Sequence, residues 1–254
     1  MIRALVITLL ASILTVHANT ASDPHLRAGI EDFTTAYRDW NADGFAKAAG
    51  NFRKATAADP HSARAFYWLG TARFHLMLHH RNRQPPKNDA ADAAMDDAIT
   101  ALEDALDLAP DHAECHALLG TLYGMKIQGS LLRAIRYGPK VQNHQKQALG
   151  HGGNNPRVRY LLGTGLFHTA KDADGYREAL DALLAAEKLF IAESGQAPEP
   201  FAPRWGQSSC RTFIGCALVK LGENGRAAEY FRKALVEHPN DHIARTELAK
   251  IPPP

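Results

Sequence analysis

Thirteen histidines make imidazole the first chemistry to test in this sequence. His75 with His79, and His112 with His116, have the i, i+4 spacing that places two metal ligands on one helical face. A metal site needs a third ligand, and neither pair has a carboxylate or another donor in its helical frame. Both pairs are therefore read as structural or solvated, with His79 and His80 the ones to test. Cys115, Cys210 and Cys216 form an odd set without CxxC spacing. Cys210 and Cys216 would lie about 240° apart around one helix, so they should not bond to each other. Each reads as a small buried apolar residue. There is no HExxH, GxSxG or phosphate loop. Gly150-His151-Gly152-Gly153 matches an oxyanion loop only in composition and is read as a helix stop, while Gly163-Thr164-Gly165 is read as close packing inside a helix. The expectation is no enzyme, no cofactor and no metal.

Charge is more informative. Between Glu114 and Asp172 there is no acidic residue, while Lys126, Arg133, Arg136, Lys140, Lys146, Arg157, Arg159 and Lys171 are all basic. The net charge of +2 hides this asymmetry, and the remainder of the chain is net negative. A basic middle suits an anionic partner: an acidic peptide segment, a carboxylate terminus, lipid phosphate or a polyanionic glycan. The plainer alternative is a solvated face with scattered charges.

These residues must be held by helices. Alanine and leucine dominate the apolar fraction of the 254 residues, and unbranched side chains lose little rotamer freedom in a helix. A phrase near the C-terminus then repeats: Ile214-Gly215, Ala227, Phe231, Ala234 and Pro239. Upstream copies are Leu69-Gly70 with Ala98, Leu102, Ala105 and Pro110, and Leu162-Gly163 with Ala179, Leu183 and Ala186. Ala48, Phe52, Ala55 and Pro60 supply the second half of an earlier copy, and Leu119-Gly120 with Tyr123 the first half of another. Small residues belong where two antiparallel helices touch, large ones beside them, and proline ends the second helix.

With Phe66, Leu69 and Gly70 on a first helix, and Ala227, Phe231, Ala234 and Pro239 on a second, the chain resembles the tetratricopeptide-repeat family over about residues 25 to 250. The resemblance implies an all-α fold, a right-handed α-solenoid of about five helix pairs with insertions and a capping helix over Asp241 to Lys250. Ala48, Ala98, Val141, Ala179 and Ala227 stand further apart than the family's 34-residue period, so every unit carries extra residues. The excess falls near His79 to Asn88, Gly124 to Gly138 and Lys171 to Gly175, with a proline-rich link from Ala197 to Pro203. The third copy is irregular, with Gln145 in place of a large apolar residue and Gly153 in place of proline. Arg136-Tyr137-Gly138-Pro139-Lys140, Ala148, Asn155-Pro156-Arg157 and Trp205-Gly206 are similar to a subset of bacterial exported members, which implies export and no particular activity.

In the family's geometry, the second and fifth positions of each first helix face a concave groove that commonly holds extended peptides. Here these are Arg64 with Tyr67 and Arg157 with Tyr160, an arginine fork beside a ring, suited to a carboxylate and its flanking side chain. The equivalent positions of the third and fifth copies are Glu114 with Ala117 and Ser209 with Thr212. The expected binding set is Arg64, Tyr67, Arg157 and Tyr160, with Arg133, Arg136 and Lys140 from the basic middle.

Met1-Ile2-Arg3 and the apolar run from Ala4 to Val16 have the form of a secretion signal, with cleavage after Ala18 or as late as Ala21. An uncleaved anchor is the alternative. Together these features point to an exported protein-binding scaffold for an acidic or extended peptide segment. An anionic envelope surface is a further possible partner, and nucleic acid is not expected. Two other readings stay open. One is a small-molecule carrier whose insertions close over a pocket lined by Tyr123, Tyr137, Phe167 and Trp205. The other is metal-dependent hydrolysis, which requires His75, His79 and His116 to converge.

Overall fold

A computed structural model describes residues 23 to 252 except 84 and 198, so the expected signal over residues 1 to 18, and cleavage as late as 21, lie outside the described residues. Eleven helices follow one another among the described residues: α1 (Asp23–Asp39), α2 (Ala42–Ala58), α3 (Ala63–Asn82), α4 (Asn88–Leu108), α5 (Ala113–Ile127), α6 (Leu131–Gly152), α7 (Pro156–Thr169), α8 (Ala173–Ser194), α9 (Gln207–Lys220), α10 (Asn224–Glu237) and α11 (His242–Lys250). They form an α-solenoid of five antiparallel pairs closed by α11. Six of the starts are marked by a capping side chain. Asn41, Ser62, Ser130, Asn155, Asp172 and Asp241 accept hydrogen bonds from the otherwise unpartnered first-turn amides of α2, α3, α6, α7, α8 and α11.

The glycine of each first helix explains how the pairs close. A Cβ added at Gly29 would lie 2.5 Å from the Phe52 ring, at Gly70 2.5 Å from Leu102, at Gly163 2.9 Å from Leu183, and at Gly215 2.5 Å from Phe231. In these four pairs the glycine admits the large residue of the partner helix, so Phe52, Leu102, Leu183 and Phe231 are all buried. Gly29 supplies the first half of the first repeat, which the sequence phrase did not reveal. The third pair differs: at Gly120 the nearest neighbours are Gln145 and His144, 3.6 Å away. Of the 22 residues of α6, only Ala148 is buried.

The extra residues chiefly lengthen helices. His79 to Asn82 continue α3, Gly124 to Ile127 continue α5, and α6 runs unbroken through the exposed Pro139. Of the four rings expected to line a pocket beneath the insertions, Tyr123 and Tyr137 stack on each other, Phe167 lies against Phe213, and Trp205 lies against His75.

Candidate functional site: the concave channel and the outer face of α6

The repeats do bring the expected groove positions together, but around the chain's own linker. Between α8 and α9 the proline-rich link turns inward. Trp68 Nε1 donates to the Phe201 carbonyl at 3.1 Å, and Trp205 Nε1 donates to Tyr67 Oη at 3.0 Å. The Phe201 ring lies under two guanidiniums, with Arg27 5.3 Å and Arg64 5.8 Å from its centre. Trp205 is 2 % exposed. Gly206 makes the turn possible: its φ is 107°, and a Cβ there would lie 2.9 Å from the Phe190 ring.

Beneath this segment lies a buried polar chain. Tyr67 accepts from Trp205 and donates to Glu114. Glu114 also accepts from Asn155 Nδ2 and from Arg157 Nε, each at 2.7 Å, and Arg157 forks onto both oxygens of Glu193. Arg157 and Glu114 are 3 % and 5 % exposed, so both charges depend on each other for compensation. Burial alone would lower the Arg157 pKa, but Glu114 and then Glu193 outweigh it and hold it well above its ordinary value. Burial, reinforced by Glu114, pushes Tyr67 up. Glu114 and Arg157 hold the same position in successive first helices, as do Arg64 and Ser209. Their opposite charges in adjacent repeats were the available sign that they would pair.

The structure thus separates the seven expected binding residues. Tyr67, Arg157 and Tyr160 are buried, Arg157 has its guanidinium committed to two carboxylates, and Tyr160 reaches only a small cavity between the first and last repeats. Arg64 is exposed, over the Phe201 ring. Arg133, Arg136 and Lys140 are exposed on α6. Arg133 Nη1 donates to Gln128 at 3.1 Å, Arg136 lies 5.3 Å from the Tyr137 ring centre, and Lys140 Nζ donates to Tyr123 Oη at 3.1 Å. Beside them are Leu131, Leu132 and Ile135, exposed by 76 %, 80 % and 67 %. Elsewhere in the basic middle, Lys126 is paired with Asp96 at 2.6 Å and Arg159 donates to the Gly153 carbonyl.

The ends of the solenoid meet across the channel. Tyr37 Oη is 2.8 Å from Ser209 Oγ and accepts from Gly206 N at 3.1 Å, and Asn240 Nδ2 donates to the Asp39 carbonyl at 3.1 Å. Burial raises the Tyr37 pKa to about 12, so the phenol stays protonated.

Each histidine pair is split. His75 sits among Phe33, Tyr37, Phe45, Phe74 and Trp205, with Nδ1 2.8 Å from the Thr71 carbonyl. Burial lowers its pKa to about 4, so it is neutral. His79 faces Trp40 instead. His116 Nε2 lies 2.9 Å from the Pro110 carbonyl, which can only accept, so that nitrogen carries the proton. Its Nδ1 then accepts from His144 Nδ1 at 2.9 Å. Among the described residues no group of three or more histidine, cysteine, aspartate or glutamate side chains is placed to hold a metal ion. All three cysteines are free, and Cys210 and Cys216 share α9.

Comparison with known proteins agrees with this architecture. The family model described as tetratricopeptide repeat matches residues 33–84 and 214–251. Among solved structures, a thermophilic TPR protein of Thermus thermophilus is similar with a TM-score of 0.62 at 16 % identity, over 91 % of this chain and 98 % of that one. The MamA protein is similar with a TM-score of 0.41 at 18 % identity, over 91 % and 98 % of the two chains. No curated protein matches the chain.

Proposed function

We propose that the chain, two stretches of which match the tetratricopeptide-repeat model, is an exported protein-interaction scaffold holding an acidic segment of another protein against the exposed face of α6. The observation that carries this reading is the composition of that face, where Leu131, Leu132 and Ile135 are exposed beside Arg133, Arg136 and Lys140. Solvated charges alone would not need three large apolar side chains among them. Such a face suits an amphipathic partner segment that sets apolar residues on the leucines and carboxylates on the arginines. The concave channel is not the proposed docking site, because the chain's own Phe201 to Gly206 segment fills much of it. Its buried charges are assigned to holding the repeats together. Export rests on the form of the first 21 residues.

The test is site-directed photocrosslinking in intact cells from position 135, with the captured protein identified by mass spectrometry. Capture of an acidic partner, lost with Arg133→Glu plus Arg136→Glu and weakened by salt, is the expected result. Equal capture by both forms would sink the α6 assignment. An N-terminus near residue 19 on the mature chain would agree with export.

The adjacency of leucine and arginine on α6 also favours a second reading, in which this face lies on an anionic envelope surface. Among the described residues no helix is long and apolar enough to cross a membrane. Cosedimentation with phosphatidylglycerol vesicles, and not with phosphatidylcholine vesicles, would select the second reading over the first.

A further inference from the structure

Part of the concave channel remains open. Where the first and last repeats meet, a cavity of about 90 Å³ is lined by side chains of α1, α3, α7 and α9 and of the turn into α11. A single water needs roughly 10–15 Å³, so this space admits a small organic group but not an extended chain.

Half of its lining residues carry rings. Tyr37 meets His238 with centroids 4.3 Å apart, Trp40 meets His242 at 6.0 Å, and Tyr160 meets Phe213 at 6.4 Å. Asp241 is the one carboxylate among the lining residues, and no lysine or arginine is among them. Burial lowers the pKa of both His238 and His242, which keeps these two walls neutral. Asp241 accepts from the Ala244 amide at 3.0 Å through one oxygen and from Thr212 Oγ1 at 2.7 Å through the other, leaving further lone pairs on each.

Trp40 adds a second, independent indication. It follows the last residue of α1 with a φ of 50°, a left-handed position where glycine or asparagine is the usual residue. A tryptophan there is conformationally costly, and it lines the cavity.

We propose that this cavity binds a small organic ammonium group, held against the faces of Tyr37, Trp40 and Tyr160 and neutralised by Asp241. Aromatic faces carry negative quadrupole potential, which attracts a cation and gives little to an anion. The carboxylate acts in the same direction. A neutral apolar group of equal shape would gain the ring contacts but not the charge. No residue of α6 lines the site, so it stands independently of the docking face.

Titration calorimetry with choline and with methylammonium tests this, using 3,3-dimethylbutan-1-ol as the uncharged counterpart of choline. Binding of at least one cation is expected, with the neutral alcohol weaker by about tenfold or more. Asp241→Asn keeps an N-cap for α11, because asparagine caps as well as aspartate, and should weaken the cation by about tenfold without changing the alcohol. Trp40→Gly suits the left-handed backbone and should weaken cation binding as well. Failure of both cations to bind at tens of millimolar, or equal binding of choline and the alcohol, would overturn the proposal. So would full cation affinity in the folded Asp241→Asn protein, its fold checked by circular dichroism.

Discussion

The second helices of the third and fifth repeats began from the same plan and ended differently. In the fifth, Gly215 admits Phe231, and α10 buries Ala227, Ala228, Phe231 and Ala234 within 14 residues. In the third, Gly120 faces Gln145 across a looser gap, and α6 buries Ala148 alone within 22 residues. A repeat that replaces its central large residue with an amide gives up the close approach that the glycine permits. Its apolar residues are then found elsewhere, at Leu131, Leu132 and Ile135, turned to solvent. The packed helix is suited to stability and the loosely packed one to contact with something outside the chain.

Truncation is the most direct way to break this comparison. Phe231→Ala should cost roughly 3–5 kcal/mol, because it empties a filled site against a glycine that cannot close the gap. Gln145→Ala should cost under about 1 kcal/mol, as expected for a residue outside such a site. Urea unfolding of the two variants measures the difference, and equal losses would remove the contrast between α10 and α6.

If α6 contributes little, the third repeat must be held by other means, and the Glu114–Arg157–Glu193 chain ties α5 to α7 and α8. Arg157→Ala should then destabilise by about 3 kcal/mol, since it leaves Glu114 buried without its countercharge. The low end of the usual range is expected because the Glu193 side chain is 26 % exposed and can turn to water. A loss below about 1 kcal/mol in the same unfolding assay would return the third repeat's stability to α6.

Acid sharpens the comparison in a smaller way. His75 in α3 and His144 in α6 both have pKa values lowered to about 4, chiefly by burial, against about 6.5 when unfolded. The unfolded chain therefore binds protons that the native one refuses, and stability falls as pH drops from about 6.5 toward 4. The fully buried His75 should account for roughly 2 kcal/mol of this loss between pH 7 and 4.5, and the half-buried His144 for less. Denaturation midpoints over that range should flatten clearly in His75→Phe and only slightly in His144→Gln.

Much of this was legible in order. The spacing of Gly70, Gly163 and Gly215 from Leu102, Leu183 and Phe231 marked three of the helix pairs, and Gln145 marked the irregular one, because close helix contact leaves a strict local pattern of small and large residues. Gly29 was missed since Ala28 precedes it where the other copies have leucine or isoleucine. The cavity at Trp40 and Asp241 left no sequence signal, because its walls come from opposite ends of the chain.

By itself the sequence determined the helices, their pairing and the concentration of positive charge in the middle, all of which depend on neighbours within one repeat. Tertiary structure alone decided which of those charges remain available. Arg157 and Arg133 look alike in the chain, yet one is enclosed by Glu114 and Glu193 and the other stands in solvent. It likewise decided that the link ending in Trp205-Gly206 folds into the channel and that the two ends meet around Tyr37. Such outcomes depend on how successive repeats rotate upon one another, a property summed over the whole stack and written in no single repeat.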